Sequence, residues 1–202
     1  LKDALLEAFP SYVNWLEGKT VHQASVEGGV FELQPDREGW KISASDIQVK
    51  HQAELWPEIS GNFTWQPEQW ILNLAHVDLQ SALGLKTLLP ASQDNITDLL
   101  TTLDPEGSIN DIRVEYDLSL GLSYSASIHE AKINQWELLP GFHKLNVLIA
   151  GDAEKGEAKL SLVDDTLPYG EVFQAPLNIK NGDVTAYWEV NDTGWRLWSD
   201  YI

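Results

Sequence analysis

A hairpin unit that occurs three times constrains the fold of this 202-residue chain more than any other feature of its sequence. Each copy contains a glycine, a run of aromatic and β-branched residues, a polar turn, and a second run that opens with tryptophan. The copies lie at residues 29–42, 61–72 and 182–197. Turn-forming residues between two such runs are typical of β-hairpins. The chain is therefore predicted to build an antiparallel sheet, and its function is to be sought on a face of that sheet.

The second half of the chain alternates apolar and polar residues with unusual regularity. The apolar positions of residues 111–120 are Ile112, Val114, Tyr116, Leu118 and Leu120. The next run changes phase near His129–Glu130, which predicts a β-bulge. Strands with one apolar and one polar face are expected of an antiparallel sheet that is wetted on one side only.

Two other parts of the chain have helical periodicity. An apolar stripe in residues 1–17, interrupted by Pro10, predicts two short helices or one kinked helix. A second helical region follows residue 78, with Ser92 as the predicted N-cap. The predicted organisation of the single segment 1–202 is an N-terminal helical part (1–18), a first set of β-hairpins (19–78), a helical insert (79–106) and a second antiparallel β set (107–202).

The apolar face of such a sheet needs a cover, and the helical segments are few. The sheet could fold over as a sandwich, close as a barrel, or curl into a half-open trough. Only the trough leaves its apolar lining accessible to a ligand. The lining positions that alternation predicts are Ile112, Val114, Tyr116, Leu118, Tyr124, Ala126, Ile128, Leu145, Val147, Ile149, Leu160, Leu162, Val184, Ala186 and Trp188.

The charge and the reactive residues exclude several classes of function. The net charge is −18, which disfavours binding to nucleic acid and electrostatic docking on anionic lipid. The five histidines have no metal-ligand spacing, cysteine is absent, and no nucleophile or phosphate-binding motif is found. We therefore expect neither an enzyme nor a metal or cofactor site.

The ends of the sequence indicate a piece of a larger protein. The chain lacks methionine, opens inside a helix-like pattern and stops within a strand-like run. No apolar run approaches the ~20 residues that span a bilayer. We expect an excised, monomeric segment.

The nine tryptophans allow two interpretations. Tryptophans on a polar β surface would suit a carbohydrate-binding module. Recurrence at the same hairpin position, as for Trp40, Trp70 and Trp195, instead favours cross-strand packing.

Three stretches of the second half resemble one known family. They are residues 107–112, the Trp-Glu-Leu-Leu-Pro-Gly element within 133–141, and the Val-Phe-Gln-Ala-Pro-Leu element within 167–182. In this order and at this separation, they resemble the YhdP branch of the AsmA-like envelope proteins of Gram-negative bacteria.

The resemblance implies a mainly β fold with a few helices, in which repeated hairpins form a curved antiparallel sheet and a half-open, taco-like groove. It also implies a periplasmic segment of a protein that is anchored in the inner membrane, with possible envelope protein partners at its ends. The predicted function is passage of phospholipids between the inner and outer membranes, with acyl chains in the groove. The alternatives are a structural module whose apolar face is closed, and a carbohydrate-binding β module.

Overall fold

Strands dominate the computed structural model, because the alternating runs of the sequence pair with one another along their length. The structure describes residues 4–7, 11–17, 20–51, 54–82, 101–135, 141–167, 175–191 and 194–200. Its strands are β1 (Ala4–Glu7), β2 (Ser11–Glu17), β3 (Thr20–Asp36), β4 (Gly39–His51), β5 (Glu54–Leu55), β6 (Ile59–Gln66), β7 (Gln69–Asp78), β8 (Glu106–Asp117), β9 (Gly121–Ile133), β10 (Phe142–Asp152), β11 (Lys155–Leu167), β12 (Leu177–Asn191) and β13 (Gly194–Ser199). One short helix, α1 (Leu79–Ala82), follows β7.

All thirteen strands belong to one antiparallel sheet. Their order is β1-β3-β4-β6-β7-β8-β9-β10-β11-β12-β13, with β2 also paired to β3 and β5 also paired to β4. Among the described residues no pairing joins β13 to the opposite edge, so the sheet is open and is not a barrel. The predicted mainly β, antiparallel fold is confirmed.

The three repeated units are hairpins, as predicted. They correspond to β3–β4, β6–β7 and β12–β13, and their last register pairs are Asp36↔Gly39, Gln66↔Gln69 and Asn191↔Gly194. Each pair leaves two residues for the turn, which is the commonest hairpin spacing.

Irregular positions within the strands keep the apolar residues on one face. Register shifts occur beside Asp46 in β4, Asp111 in β8 and Glu130 in β9, and these three residues have positive φ values. An extra residue at a bulge offsets the change of phase in the sequence, so that Ile128 and Ala131 both stay on the apolar side. The bulge predicted near His129–Glu130 is confirmed.

The prediction of helices in the N-terminal part is wrong. Residues Ala4–Glu7 and Ser11–Glu17 are strands β1 and β2, and both pair with β3. Their apolar spacing fits a helix, but the long β3 offers an unpaired backbone edge, and this tertiary partner overrides the local preference. The pair Glu17↔Thr20 leaves only two residues between β2 and β3, a hairpin spacing that could have revealed the strands.

The two predicted β sets are joined into one sheet by the pairing of β7 with β8. The helical insert between them is described only at its ends, where Leu79–Ala82 and residues 101–103 are helical. The helix predicted to begin at Ser92 lies largely outside the described residues. Within the part of the chain that the structure describes, no helix has the length and apolar character that a membrane crossing requires.

Candidate functional site

The strands end along two opposite sides of the sheet, and these two sides carry different connections. The turns of β3–β4, β6–β7, β8–β9 and β10–β11 lie along one edge, which we call the turn rim and define as residues 36–39, 66–69, 117–121 and 152–155. The opposite ends of the strands carry the longer connections, including α1, and we call this side the connection rim. Its described residues are 54–58, 79–82, 101–105, 134–135, 141 and 175–176. Backbone and side-chain hydrogen bonds join neighbouring turns of the turn rim, as from Leu118 N to Glu68 O at 2.9 Å.

One continuous row of residues crosses ten strands on the apolar side. Because directly opposed residues of a sheet point to the same face, the register alone places the whole row on that face. The row is Leu33, Ile42, Phe63, Leu72, Val114, Tyr124, Gly151, Gly156, Trp188 and Leu197. We call the side of the sheet that carries this row the apolar face.

Fourteen of the fifteen predicted lining residues lie on strands and share the apolar face. Three further register rows contain eight of them: Tyr116 with Trp70, Ala126 with Ile149 and Ala186 by way of Ala158, and Ile128 with Val147, Leu160 and Val184. Ile112, Leu145 and Leu162 pair with Leu74, Ala131 and Gly182 on the same face. The exception is Leu118. Strand β8 ends at Asp117, whose carboxylate accepts hydrogen bonds from the next turn, so Leu118 lies in that turn and not on a strand.

The prediction missed the contribution of the first half of the chain. Strands β4, β6 and β7, which lie side by side next to β8, supply Trp40, Phe63, Trp65, Trp70 and Leu72 to the same face. The alternation of Phe63 and Trp65 in β6 was visible in the sequence. What the sequence does not contain is the pairing of β7 with β8 across the insert.

Burial on the apolar face decreases from the connection rim to the turn rim. The buried apolar residues Ile47, Val77, Ala131, Leu145 and Leu162 lie toward the connection rim. Toward the turn rim, Trp40 is 41% exposed and Trp65 is 46% exposed. Among the described elements, most contacts are between neighbouring strands, and the short helix α1 makes a few contacts with β7 and β8. Most of the apolar face therefore has no second layer over it in the described part of the chain.

An aromatic row lies one residue inside the turn rim. Its members, in register order, are Trp40, Trp65, Trp70 and Tyr116. Trp70 stacks on Tyr116 with ring centroids 6.1 Å apart, and its ring is 6.1 Å from that of Phe63. Such cross-strand aromatic pairs stabilise a sheet and leave ring faces and edges available.

Two glycines make room for rings in the middle of the apolar face. A Cβ at Gly156 would meet the ring of Trp188, and one at Gly151 would lie 2.8 Å from Tyr124 Oη. The rings therefore lie over the backbone of β10 and β11, which keeps the face continuous where side chains are missing.

We expect Gly156→Ala to lower the free energy of unfolding by about 1–3 kcal/mol, because the added methyl group must displace the Trp188 ring. Urea unfolding followed by tryptophan fluorescence measures this. Gly28→Ala is the matched control, since nothing lies within 4 Å of a Cβ at Gly28. Equal stability of the Gly156→Ala variant and the wild type would contradict the packing described.

A buried carboxylate ties β10 to β11 near the connection rim. Asp165 Oδ2 accepts hydrogen bonds from the amides of His143 at 2.9 Å and Lys144 at 3.0 Å, and Oδ1 accepts one from Thr166 at 2.7 Å. Burial raises the pKa of Asp165, but these donors and the adjacent His143 ring outweigh burial, so the pKa lies below its ordinary value. The alternation of the sequence gave no signal for this contact.

The polar side of the sheet has a different character. A concavity of about 610 Å³ is lined by residues of neighbouring strands. They include Leu148, Lys159, Thr185 and Tyr187 of the polar side and also Ile128, Val147, Leu160 and Val184 of the apolar face. Among the described residues, no group of three or more His, Asp or Glu side chains could hold a metal ion.

These features define a class of protein: an open antiparallel sheet that, in its described residues, offers an extended apolar surface without a second layer. The chain belongs to the YhdP protein family, because the profile of that family matches residues 1–202. The predicted resemblance is thus confirmed.

The intermembrane phospholipid transporter YhdP of Escherichia coli (strain K12) is 26% identical to the chain over 198 residues. The match covers 91% of this chain and 16% of that relative, so the chain spans about one sixth of the relative's length. No solved structure matches the chain significantly.

Proposed function

We propose that the apolar face forms the interior of a groove that carries phospholipids between the inner and outer membranes. Acyl chains would lie against the apolar face and headgroups would stay in water. The observation that carries this proposal is the continuous apolar row across ten strands, most of it without cover among the described residues. Nine strand spacings give the row a length of about 43 Å.

The comparisons support the proposal from a second direction. The Escherichia coli relative is described as an intermembrane phospholipid transporter, and its similarity extends over nearly the whole of this chain. We therefore also propose that the chain is a periplasmic segment of a protein anchored in the inner membrane. Envelope proteins at the ends of that protein are its proposed partners.

The physical chemistry of the apolar face suits passive movement. Burial of an acyl chain contributes about 0.8 kcal/mol for each CH₂ group without directional contacts. An acyl chain that slides from one register row to the next exchanges one set of apolar contacts for an equivalent set, so its free energy changes little along the path. Neither a nucleophile nor a metal is needed for such transfer, and we propose no catalytic role.

The two alternative functions have less support. A scaffold with a closed apolar face would need a cover, and Trp40, Trp65 and Tyr116 are more than one third exposed. A carbohydrate-binding module would need tryptophans on the polar face. Trp198 lies there, but its ring packs against Tyr187 and the Arg196 guanidinium, while Trp195 is on the apolar face.

Photo-crosslinking tests the proposal. With benzoylphenylalanine in place of Tyr116, we expect covalent phospholipid adducts in living cells after illumination, because this ring lies at the accessible end of the apolar face. The readout is labelled phosphate that migrates with the protein after denaturation.

Ser123 provides the control position. It is exposed on the polar face, beside Glu115 in the register. Adducts at position 116 and none at position 123 would support the groove. Absence of adducts at position 116 in a folded protein would refute it.

A further inference from the structure

The repeated hairpin unit places a tryptophan directly after its turn, and the fold brings all three copies to one side of the sheet. Trp40, Trp70 and Trp195 each follow the residue that closes a hairpin turn, and all three lie on the apolar face. The pair Lys155↔Glu189 places the end of β12, and with it Trp195, beside the turn rim. Trp40 is 41% exposed and Trp195 is 75% exposed, so packing within the sheet covers these rings only in part.

The aromatic row also keeps its polar atoms available. Among the described residues, no protein group accepts a hydrogen bond from the indole N–H of Trp40, Trp65 or Trp70, or from the hydroxyl of Tyr116. Rings that are apolar at one end and polar at the other prefer the boundary between hydrocarbon and water. The turn rim therefore borders the apolar face with the side chains that are typical of a membrane interface.

The opposite end of the apolar face is closed to a headgroup in the described part of the chain. Toward the connection rim, the apolar residues Ile47, Val77, Ala131, Leu145 and Leu162 are buried. A charged headgroup among them would give up its water without gaining a polar partner, which is strongly unfavourable. A phospholipid on the apolar face can therefore keep its headgroup hydrated at the turn rim and not at the connection rim.

The apolar strip between the two ends is long enough for acyl chains that run along the strands. Seven residues of β7 lead from Trp70 to the buried Val77, which is about 24 Å along an antiparallel strand. The hydrocarbon of one leaflet is about 15 Å thick, half of a bilayer core. Acyl chains that begin at the level of Trp70 would thus end near Leu74, before the buried zone.

We infer that phospholipids lie on the apolar face with their acyl chains along the strands, and that the aromatic row holds their glycerol and headgroup at the turn rim. This inference rests on the proposed function and gives the groove a single headgroup side. The rings pack beside the first carbons of the acyl chains, and their N–H and O–H groups donate hydrogen bonds to ester or phosphate oxygens. Because all phospholipids share these oxygens, the aromatic row orients a lipid without choosing among headgroups.

Single cysteines test this orientation, since the chain has no cysteine of its own. Leu122→Cys places a probe beside Tyr116 in the register, and Ala126→Cys places one four residues farther along β9, about 14 Å away. Each cysteine carries a bimane fluorophore. The purified chain is incubated with phosphatidylcholine vesicles that contain a nitroxide phospholipid, labelled either on the headgroup or near the end of an acyl chain. Fluorescence is read after separation from the vesicles, so that only bound lipid quenches it.

We expect the headgroup nitroxide to remove most of the fluorescence at position 122 and little at position 126. The acyl-chain nitroxide should have the opposite effect. Ser123→Cys is exposed on the polar face, between the two probe positions, and neither nitroxide should quench its fluorophore.

The variant Trp65→Leu, Trp70→Leu tests the role of the aromatic row. Leucine keeps the face apolar and removes the ring and its N–H group, so the difference between positions 122 and 126 should disappear. The control variant Tyr187→Leu, Trp198→Leu removes a tyrosine and a tryptophan from the polar face and should keep that difference.

Equal quenching of positions 122 and 126 by both nitroxides, or the reverse order, would overturn this inference and leave the proposed groove intact. Quenching at position 123 as strong as at position 122 would also overturn it, because lipid would then lie on both faces. An undiminished difference in the Trp65→Leu, Trp70→Leu variant would overturn the role of the aromatic row. Absence of bound lipid on the folded chain would overturn the proposed function itself, and this inference with it.

Discussion

Replacing Leu72 and Val114 together by aspartate is expected to lower phospholipid binding by at least about a hundredfold. The two residues are direct register partners in the middle of the apolar row, and both are half-buried. An acyl chain laid over them would have to desolvate two carboxylates that have no partner, which costs several kcal/mol. About 2.7 kcal/mol already corresponds to a hundredfold in affinity. Bound lipid per chain, measured after incubation with vesicles, gives the result.

A matched variant separates this effect from added charge. Thr64→Asp with Ser123→Asp introduces the same two carboxylates on the polar face, where water can solvate them. We expect this variant to bind lipid like the wild type. Circular dichroism would establish that both variants keep their strand content. Undiminished lipid binding by the folded apolar-face variant would contradict the proposed groove.

Removal of the buried carboxylate should cause the largest loss of stability. We expect Asp165→Ala to lower the free energy of unfolding by about 2–4 kcal/mol, because the amides of His143, Lys144 and Thr166 lose an ionised acceptor at once. Asp165→Asn keeps the shape and one acceptor oxygen, so its loss should be about half as large. Urea unfolding at neutral pH measures both values.

The pH dependence of this stabilisation follows from the lowered pKa of Asp165. A depressed pKa in the folded state stabilises the protein above the ordinary value of 3.8, and the gain disappears as pH falls through the lowered pKa. The stability difference between the wild type and Asp165→Asn should therefore shrink below about pH 4. Asp164→Asn, at the exposed neighbour with positive φ, should change stability by less than about 0.5 kcal/mol at any pH. A pH-independent difference for Asp165→Asn would refute the assignment.

Much of the local structure could be predicted, because hairpins depend on residues that are close in the chain. The three repeated hairpins form, and the bulge at Glu130 coincides with the change of phase. Alternation continues through Leu118 and Leu120, but strand β8 ends at Asp117, so the strand is shorter than the alternation. The turn is closed by hydrogen bonds that the Asp117 carboxylate accepts. The alternation of apolar and polar residues carries no information about these bonds.

The candidate site was only half predictable. The predicted lining came entirely from the second half of the chain, although Trp40, Phe63 and Trp70 belong to the same face. Strand β7 pairs with β8 across an insert of more than twenty residues. The pairing of the two strands offsets the entropic cost of closing this loop, and the local sequence does not reveal that pairing.

The hairpins, their turns, the two-sided character of the strands and the acidic exterior follow from the amino-acid sequence, since each depends on neighbours in the chain or on composition. The order of the hairpins in the sheet, the strand structure of β1 and β2, and the open sheet are evident only from the three-dimensional arrangement. An unpaired strand edge can pair with any strand of suitable length. The order of the strands in the sheet therefore depends on competition among all available strand edges and apolar faces. That competition aligned Trp40, Trp65, Trp70 and Tyr116 beneath a rim of acidic turns.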